Sequence, residues 1–148
     1  GPESVPSLLE FLNDKETIVV STAAMAIGKM KLVQAIPALT AIIKGQNDVG
    51  KRVAVKALTQ IGSSSVESLC SCLADPRPQV KELALDGLND IGDDRCVPYI
   101  TPLLDDPLKG TQENAARVLD NLISEHRISP LSPELNAKVQ SFLVKKIS

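Results

Sequence analysis

The sequence predicts an all-α protein, a right-handed α-solenoid of four helix-turn-helix repeats followed by a C-terminal helix. Apolar residues recur at helical spacing, this pattern restarts at nearly equal intervals along the chain, and prolines follow most of the restarts. Because one short helix pair cannot bury its apolar faces alone, we expect successive pairs to stack into an elongated array.

The first helix of each repeat is predicted to start at an apolar residue. These starts are Val5, Ile36, Val66 and Val97. Proline follows three of them directly, at a position in the first turn where its missing N–H costs nothing. The predicted repeats cover residues 5–34, 35–65, 66–96 and 97–123.

The second helices follow polar breaks and are expected to end at Ile-Gly pairs, where glycine supplies the left-handed conformation that stops a helix. The closing glycines are Gly28, Gly62 and Gly92, while the fourth repeat has none and its helix is expected to run longer. Since the interval from Gly28 to Gly62 is longer than the interval from Gly62 to Gly92, we predict an insertion between Gly45 and Gly50.

The two ends of the chain differ from the repeats. Residues 1–4 are interpreted as a leader, because Gly1-Pro2 is typical of the scar left by a tag-removing protease, and we expect a piece of a longer protein. Residues 131–148 are predicted to form a C-terminal helix with Pro133 in its first turn. This helix either covers the last repeat or begins a fifth one, and an uncapped repeat end would allow self-association.

Composition excludes several classes of function. The chain is 43% apolar with a net charge of -2, so its overall field does not attract nucleic acid or an acidic membrane. No apolar run approaches the roughly 18 residues that span a bilayer. The cysteines are odd in number, and Cys70 and Cys72 lack the usual spacing of a zinc site, which favours a reducing, cytoplasmic compartment inside the cell.

Catalytic chemistry is not expected from the residues present. His126 is the only histidine, and no cysteine or aspartate stands near it at metal or triad spacing. Cys70 and Cys72 align with mostly apolar positions of other repeats and are interpreted as structural thiols, while Cys96 is assigned no role. We therefore predict no enzyme activity, no metal and no cofactor.

One segment carries a family resemblance most clearly. Residues 75–92, with the sequence DPRPQVKELALDGLNDIG, combine an Asp-Pro turn, small residues in the middle of the next helix and a closing Ile-Gly pair. This segment resembles the short HEAT repeats also found in phycobilisome lyases. The resemblance implies an α-α superhelix that presents its second helices on the concave side and acts as a scaffold. HEAT-like hydroxylases need His-Glu metal pairs, which this chain lacks.

The outward residues of the second helices form the candidate partner-binding surface. Helical spacing places them opposite the buried stripe, together with an apolar edge that includes Val55 and Leu85. That edge fits either a groove for a peptide or burial between repeats, and the charged residues also fit an ordinary solvated face. The candidate residues are Met25, Arg52, Val55, Lys56, Thr59, Glu82, Leu85, Asp86, Asn89, Arg117 and Asp120.

Three functions are compared on this basis. The favoured prediction is a non-catalytic scaffold that holds a protein or peptide partner along its concave face. The alternative is a chromophore lyase subunit, which would need a companion subunit and affinity for bilin. A nucleic-acid-binding domain is disfavoured, because only Lys51, Arg52 and Lys56 cluster and no aromatic side chains lie between them.

Overall fold

The computed structural model describes residues 4–144, and every regular element in that range is helical, which confirms the predicted all-α solenoid. The predicted leader at Gly1-Pro2 and the last residues of the C-terminal helix, 145–148, lie outside the described range. The α-helices are α1 Ser4–Phe11, α2 Thr17–Met30, α3 Ile36–Ile43, α4 Asp48–Ile61, α5 Val66–Cys72, α6 Pro78–Ile91, α7 Val97–Ile100, α8 Lys109–Ser124 and α9 Pro133–Val144.

Prolines and caps set several helix boundaries. Pro37, Pro98 and Pro78 each lie in the first turn of a helix, and the Asn47 side chain accepts a hydrogen bond from the Gly50 N–H to cap α4. The fourth first helix is broken, because α7 gives way to a 3-10 helix at Thr101–Asp105. Pro102 lies in this segment and has no N–H to continue the α-helical bonding.

The second helices stack in chain order, α2 on α4, α4 on α6 and α6 on α8, while α3 packs against α5 in the other layer. Large aliphatic residues occupy the same place in each second helix and are at most 1% exposed, and an alanine precedes each by one turn. The aliphatic residues are Ile27, Leu58, Leu88 and Leu119; the alanines are Ala23, Ala54, Ala84 and Ala115. Small residues one turn away let neighbouring helices approach closely.

The predicted helix end at Gly28 is wrong. Helix α2 continues to Met30 and is closed by Lys31, which adopts the left-handed conformation at φ 52°. Gly28 lies inside the helix against α4, where an added Cβ would come within 3.2 Å of the Ala57 Cα. Gly28 is therefore required for helix packing. Gly62 and Gly92 have positive φ values and close α4 and α6 as predicted.

The predicted insertion between Gly45 and Gly50 is not present. The second helices begin at Thr17, Asp48, Pro78 and Lys109, and these starts are almost equally spaced along the chain. The longer interval between glycines arose because Gly28 does not occupy the position of Gly62. Counted from these starts, Met25 is equivalent to Lys56, Asp86 and Arg117. Counting back from the three glycines had placed Met25 level with Thr59 and Asn89.

The C-terminal helix α9 packs against α8 and covers the last repeat. Its Val139 is fully buried, and Gln140 donates a hydrogen bond to the Asp120 side chain at 2.9 Å. The Leu135 N–H lies 3.3 Å from the Ser132 hydroxyl oxygen, as expected for an N-cap. Within residues 4–144, no helix combines the length and apolar character needed to cross a membrane.

Candidate functional site

A groove of about 430 Å³ lies between α4 and α6 on the second-helix layer. It brings together five of the predicted site residues with four that were not predicted, Gln60, Leu83, Gly87 and Asp90. The five predicted residues are Arg52, Val55, Lys56, Thr59 and Asp86. An adjoining space of about 330 Å³, which shares Arg52, Leu83 and Asp86, adds Glu82. The volumes are in the range of small-molecule sites.

The two walls of the groove carry opposite charges. Helix α4 contributes Arg52 and Lys56, one turn apart, and α6 contributes Asp86 and Asp90, also one turn apart. All four side chains are exposed, and in the described part of the chain no ion pair joins either cation to a carboxylate. The groove therefore has charged walls that remain open to a ligand.

The carboxyl group of Asp86 is electrostatically perturbed. Its pKa is raised above the ordinary value because the group is partly desolvated by burial, and the neighbouring carboxylates of Glu82 and Asp90 raise the pKa further, while Arg117 lowers it. Closely spaced carboxylates on one helix face repel each other. A hydrogen-bond donor or a cation placed beside Asp86 would therefore be favoured.

The apolar edge, predicted either to line a peptide groove or to be buried between repeats, is buried. Val55 is 7% exposed and Leu85 is 1% exposed, so Leu85 is not available to a partner and Val55 contributes only to the floor of the groove. Gly87 is buried beside them, and an added Cβ would meet the Val55 side chain at 3.3 Å. Burial depends on the distance between α4 and α6, which helical periodicity does not report.

The remaining predicted residues lie outside this groove. Met25 lines a second space, of about 200 Å³, between α2 and α4, which shares Lys56 and Gln60 with the groove. Arg117 donates a hydrogen bond to Asn114 at 2.8 Å, and Asp120 is bonded to α9. The side-chain oxygen of Asn89 is buried and accepts no hydrogen bond from any described residue. The groove that contains Arg52 is therefore not lined by Met25, Asn89, Arg117 or Asp120.

Arg77 fixes one end of the α4–α6 groove. It lies just before α6, and its guanidinium donates to the carbonyl oxygens of Lys44 and Gly45, just before α4, at 2.9 and 2.8 Å. Asp75 holds the guanidinium through two further hydrogen bonds of 2.9 Å. Hydrogen bonds from Arg77 lower the pKa of Asp75 to about 2, so the pair stays charged at neutral pH.

Arg95 fixes the opposite end of the same groove. It follows α6, and its Nη2 donates to the carbonyl oxygen of Ser63, which follows α4, at 2.8 Å. Asp93 accepts hydrogen bonds of 3.1 and 2.9 Å from the same guanidinium, and these bonds lower its pKa. We call Arg77 and Arg95 the arginine bridges. They hold the ends of α4 and α6 at a fixed separation.

Sequence reasoning missed the arginine bridges, although a signal was present. Both arginines follow an aspartate at the second position, as Asp75-Pro76-Arg77 and Asp93-Asp94-Arg95. The turns were interpreted only as helix breaks. Asp90 was missed because helical spacing assigned its neighbour Asn89 to the predicted surface, whereas the groove is lined by Asp90.

Among residues 4–144, no group of three or more histidine, cysteine, aspartate or glutamate side chains is placed to hold a metal ion. His126 is exposed, with a left-handed backbone at φ 58°. All three cysteines are buried, and burial raises the pKa of Cys70 to about 12 and that of Cys96 to about 11. Lys51 is also buried, at 3% exposed, which reduces the basic cluster considered for nucleic acid to Arg52 and Lys56.

The chain belongs to the HEAT-repeat family. The family profile described as HEAT repeats matches residues 1–63 and 66–141, and the repeats are of the short phycobilisome-lyase type, as the sequence suggested. A curated relative, bilin biosynthesis protein PecE of Mastigocladus laminosus, is 36% identical over 99 residues. The match covers 66% of this chain and 37% of the relative, so the chain spans little more than a third of that protein.

Two solved structures share the fold. The complex of CpcE and CpcF of phycocyanin lyase from Nostoc sp. PCC7120 matches with a TM-score of 0.50 and 21% identity, over 84% of this chain and 67% of that one. An engineered protein matches with a TM-score of 0.50 and 19% identity, over 92% of this chain and 66% of that one. Identity at this level supports the fold alone.

The comparisons contradict the favoured functional prediction. A relative named for bilin biosynthesis, together with the fold shared with a phycocyanin lyase complex, fits the chromophore lyase alternative better than a non-catalytic scaffold. The prediction of no enzyme activity is wrong for the same reason. The error arose because the sequence shows no recognisable motif of nucleophile, base or metal, and that absence was taken as evidence against activity.

Proposed function

We propose that this chain is a HEAT-repeat segment of a bilin lyase subunit, which binds a linear tetrapyrrole and acts together with a companion protein chain. The observation that carries the proposal is the 36% identity to a bilin biosynthesis protein. The similarity covers only part of that relative, so the full activity would require further chain or the companion subunit.

The chain's contribution to catalysis would be binding and orientation. The α4–α6 groove offers charged walls, and the chain's own thiols are buried with raised pKa values, so they are poor nucleophiles. Holding two reactants in the right geometry converts a bimolecular step into an effectively unimolecular one. A lyase subunit can therefore accelerate attachment of a chromophore without supplying a nucleophile.

The first experiment titrates the chain with biliverdin, a linear tetrapyrrole, and records circular dichroism in the visible range. Binding in one orientation is expected to give the chromophore an induced signal that saturates. The second adds chain to a mixture of bilin, CpcF and bilin-free phycocyanin, and measures covalently attached bilin after denaturation. No induced signal, or an attachment rate equal to that of the same mixture without the chain, would contradict the proposal.

A further inference from the structure

We propose that the α4–α6 groove recognises a bilin by its two kinds of polar group, with Arg52 and Lys56 binding the propionate carboxylates and Asp86 accepting hydrogen bonds from pyrrole N–H groups. This inference rests on the proposed function and adds to it the residues and the orientation of the ligand. Among the described residues, the groove between α2 and α4 contains the cations Lys29 and Lys56 but no carboxylate. The groove between α6 and α8 has one cation, Lys109, opposite Glu82, and so lacks the two cations that a pair of propionates requires.

The cationic wall fits a pair of carboxylates. Residues one helical turn apart have Cβ atoms about 6 Å from each other, which suits two propionate groups on adjacent rings of a flexible ligand. Arg52 and Lys56 are exposed and form no ion pair in the described part of the chain, so a carboxylate need not displace a partner. Arginine also offers a planar pair of donors to a carboxylate.

The acidic wall fits hydrogen-bond donors. Asp86 is exposed in the groove, but nearby protein atoms partly desolvate its carboxyl group, and this desolvation together with the carboxylates of Glu82 and Asp90 raises its pKa. A donor beside Asp86 therefore relieves an unfavourable charge. A linear tetrapyrrole presents N–H groups along its inner edge and propionates along the opposite edge. A ligand with only anionic groups would meet repulsion from α6, and one with only cationic groups would meet repulsion from α4.

The shape of the groove supports a flat ligand. Its floor includes the buried side chain of Val55 and the partly buried Leu83, which offer apolar contact to the rings. The arginine bridges hold both ends of the groove at a fixed separation. A site that is already formed loses less conformational freedom on binding, and this favours affinity.

The test compares biliverdin with its dimethyl ester, in which the propionate charges are absent. The natural chain is expected to bind the diacid about tenfold more tightly than the diester, and the double variant Arg52→Gln with Lys56→Gln is expected to lose this preference. Lys15→Gln removes a cation from an exposed loop outside the grooves and should retain the preference. Binding is followed by the visible circular dichroism of the bilin.

Asp86→Asn tests the other wall, since it keeps the shape of the side chain. The substitution is expected to weaken the binding of both probes by a similar factor of roughly five. The control Glu10→Gln changes an exposed side chain on α1 and should leave the binding of both probes unchanged. Far-ultraviolet circular dichroism confirms that each variant is folded.

The outcomes separate this inference from the proposed function. Equal binding of both probes by the natural chain, or a double variant that keeps the preference for the diacid, overturns the assignment of Arg52 and Lys56 while bilin binding stands. An Asp86→Asn variant that binds both probes normally overturns the role of Asp86. Failure of the natural chain to bind either probe overturns the proposed function and this inference together.

Discussion

Replacing Lys81 by methionine should destabilise the fold, because it leaves a buried carboxylate without its cation. The Lys81 ammonium lies 2.6 Å from the Asp106 Oδ1, and the two side chains are only 15% and 4% exposed. Breaking a buried ion pair costs about 3 to 5 kcal/mol. Asp106 keeps a hydrogen bond from the Leu108 N–H at 3.0 Å, so we expect a loss of about 2 to 3 kcal/mol.

The assay is urea unfolding followed by helical circular dichroism, with thermal unfolding as a second measure. For a chain of this length, the loss corresponds to a fall in Tm of roughly 4 to 12 °C. Lys138→Met is the matched control, because Lys138 pairs with Asp105 at the surface, with 40% and 72% of the two side chains exposed. Exposed pairs contribute less than about 1 kcal/mol, so the control should change little.

The pH dependence gives an independent check on the same pair. Burial raises the pKa of Asp106, but hydrogen bonds from Lys81 and the Leu108 N–H lower it more, and the net pKa lies below the ordinary 3.8. The stabilisation of the fold by ionised Asp106 is therefore present above pH 3.8 and is lost as the pH falls through the pKa that Asp106 has in the folded protein. In Lys81→Met the hydrogen bond from the ammonium no longer counteracts the effect of burial, so the pKa of Asp106 should rise.

The difference in stability between the natural chain and Lys81→Met should consequently shrink as the pH falls from 7 to 3. A loss at neutral pH no larger than that of the exposed Lys138 control would refute this account of the pair. A difference that does not change with pH would refute it as well.

Three further predictions concern packing, thiols and helix ends. Gly28→Val should lower the free energy of unfolding by about 1 to 3 kcal/mol, because the new side chain would collide with the Ala57 backbone. Gly110→Ala has open space around the new methyl group and should raise the free energy of unfolding by up to about 0.5 kcal/mol. Urea unfolding measures both changes. The three cysteines are buried and have raised pKa values, so at pH 8 a thiol reagent should label them only as fast as the chain opens. The labelling rate should therefore rise with urea concentration, and a rate independent of urea would contradict this expectation. Arg127→Ala should lower the free energy of unfolding by about 1 kcal/mol, because Arg127 donates hydrogen bonds to three carbonyl groups at the end of α6. An unchanged midpoint of urea unfolding would show that water replaces these hydrogen bonds.

The sequence was sufficient to predict what depends on local chemistry. Proline positions and the apolar period located the first helices, because the first turn of a helix tolerates proline and one face must be buried. The role of Gly28 was mispredicted because a glycine that closes a helix and a glycine that permits close helix packing cannot be distinguished from a short stretch of sequence. The difference depends on Ala57 of the next repeat, which lies across the interface.

The candidate site was predicted only in part for the same reason. Arg52, Lys56 and Asp86 were found because helical spacing places them on the outward face, and the structure brings them to one groove. Burial of Leu85 and the position of Asp90 depend on how α4 and α6 are spaced. Function was mispredicted because a charged helix face has the same composition whether it binds a protein or a small molecule, and the sequence carries no catalytic motif to distinguish the two.

The arginine bridges also make the junctions between repeats chemically different from one another. They pin α4 to α6 at both ends, and the α6–α8 junction is held by Lys81 with Asp106 at one end and by Arg127 at the other. In the described part of the chain, no such polar connection joins the ends of α2 and α4, whose contact is made by packed apolar side chains. The width of the charged groove therefore depends on polar contacts at its two ends, whereas the α2–α4 junction, where the helices pack most extensively, depends on the shapes of apolar side chains. Substitutions that change side-chain volume should thus disturb the first junction most, and substitutions that remove charge should disturb the later ones.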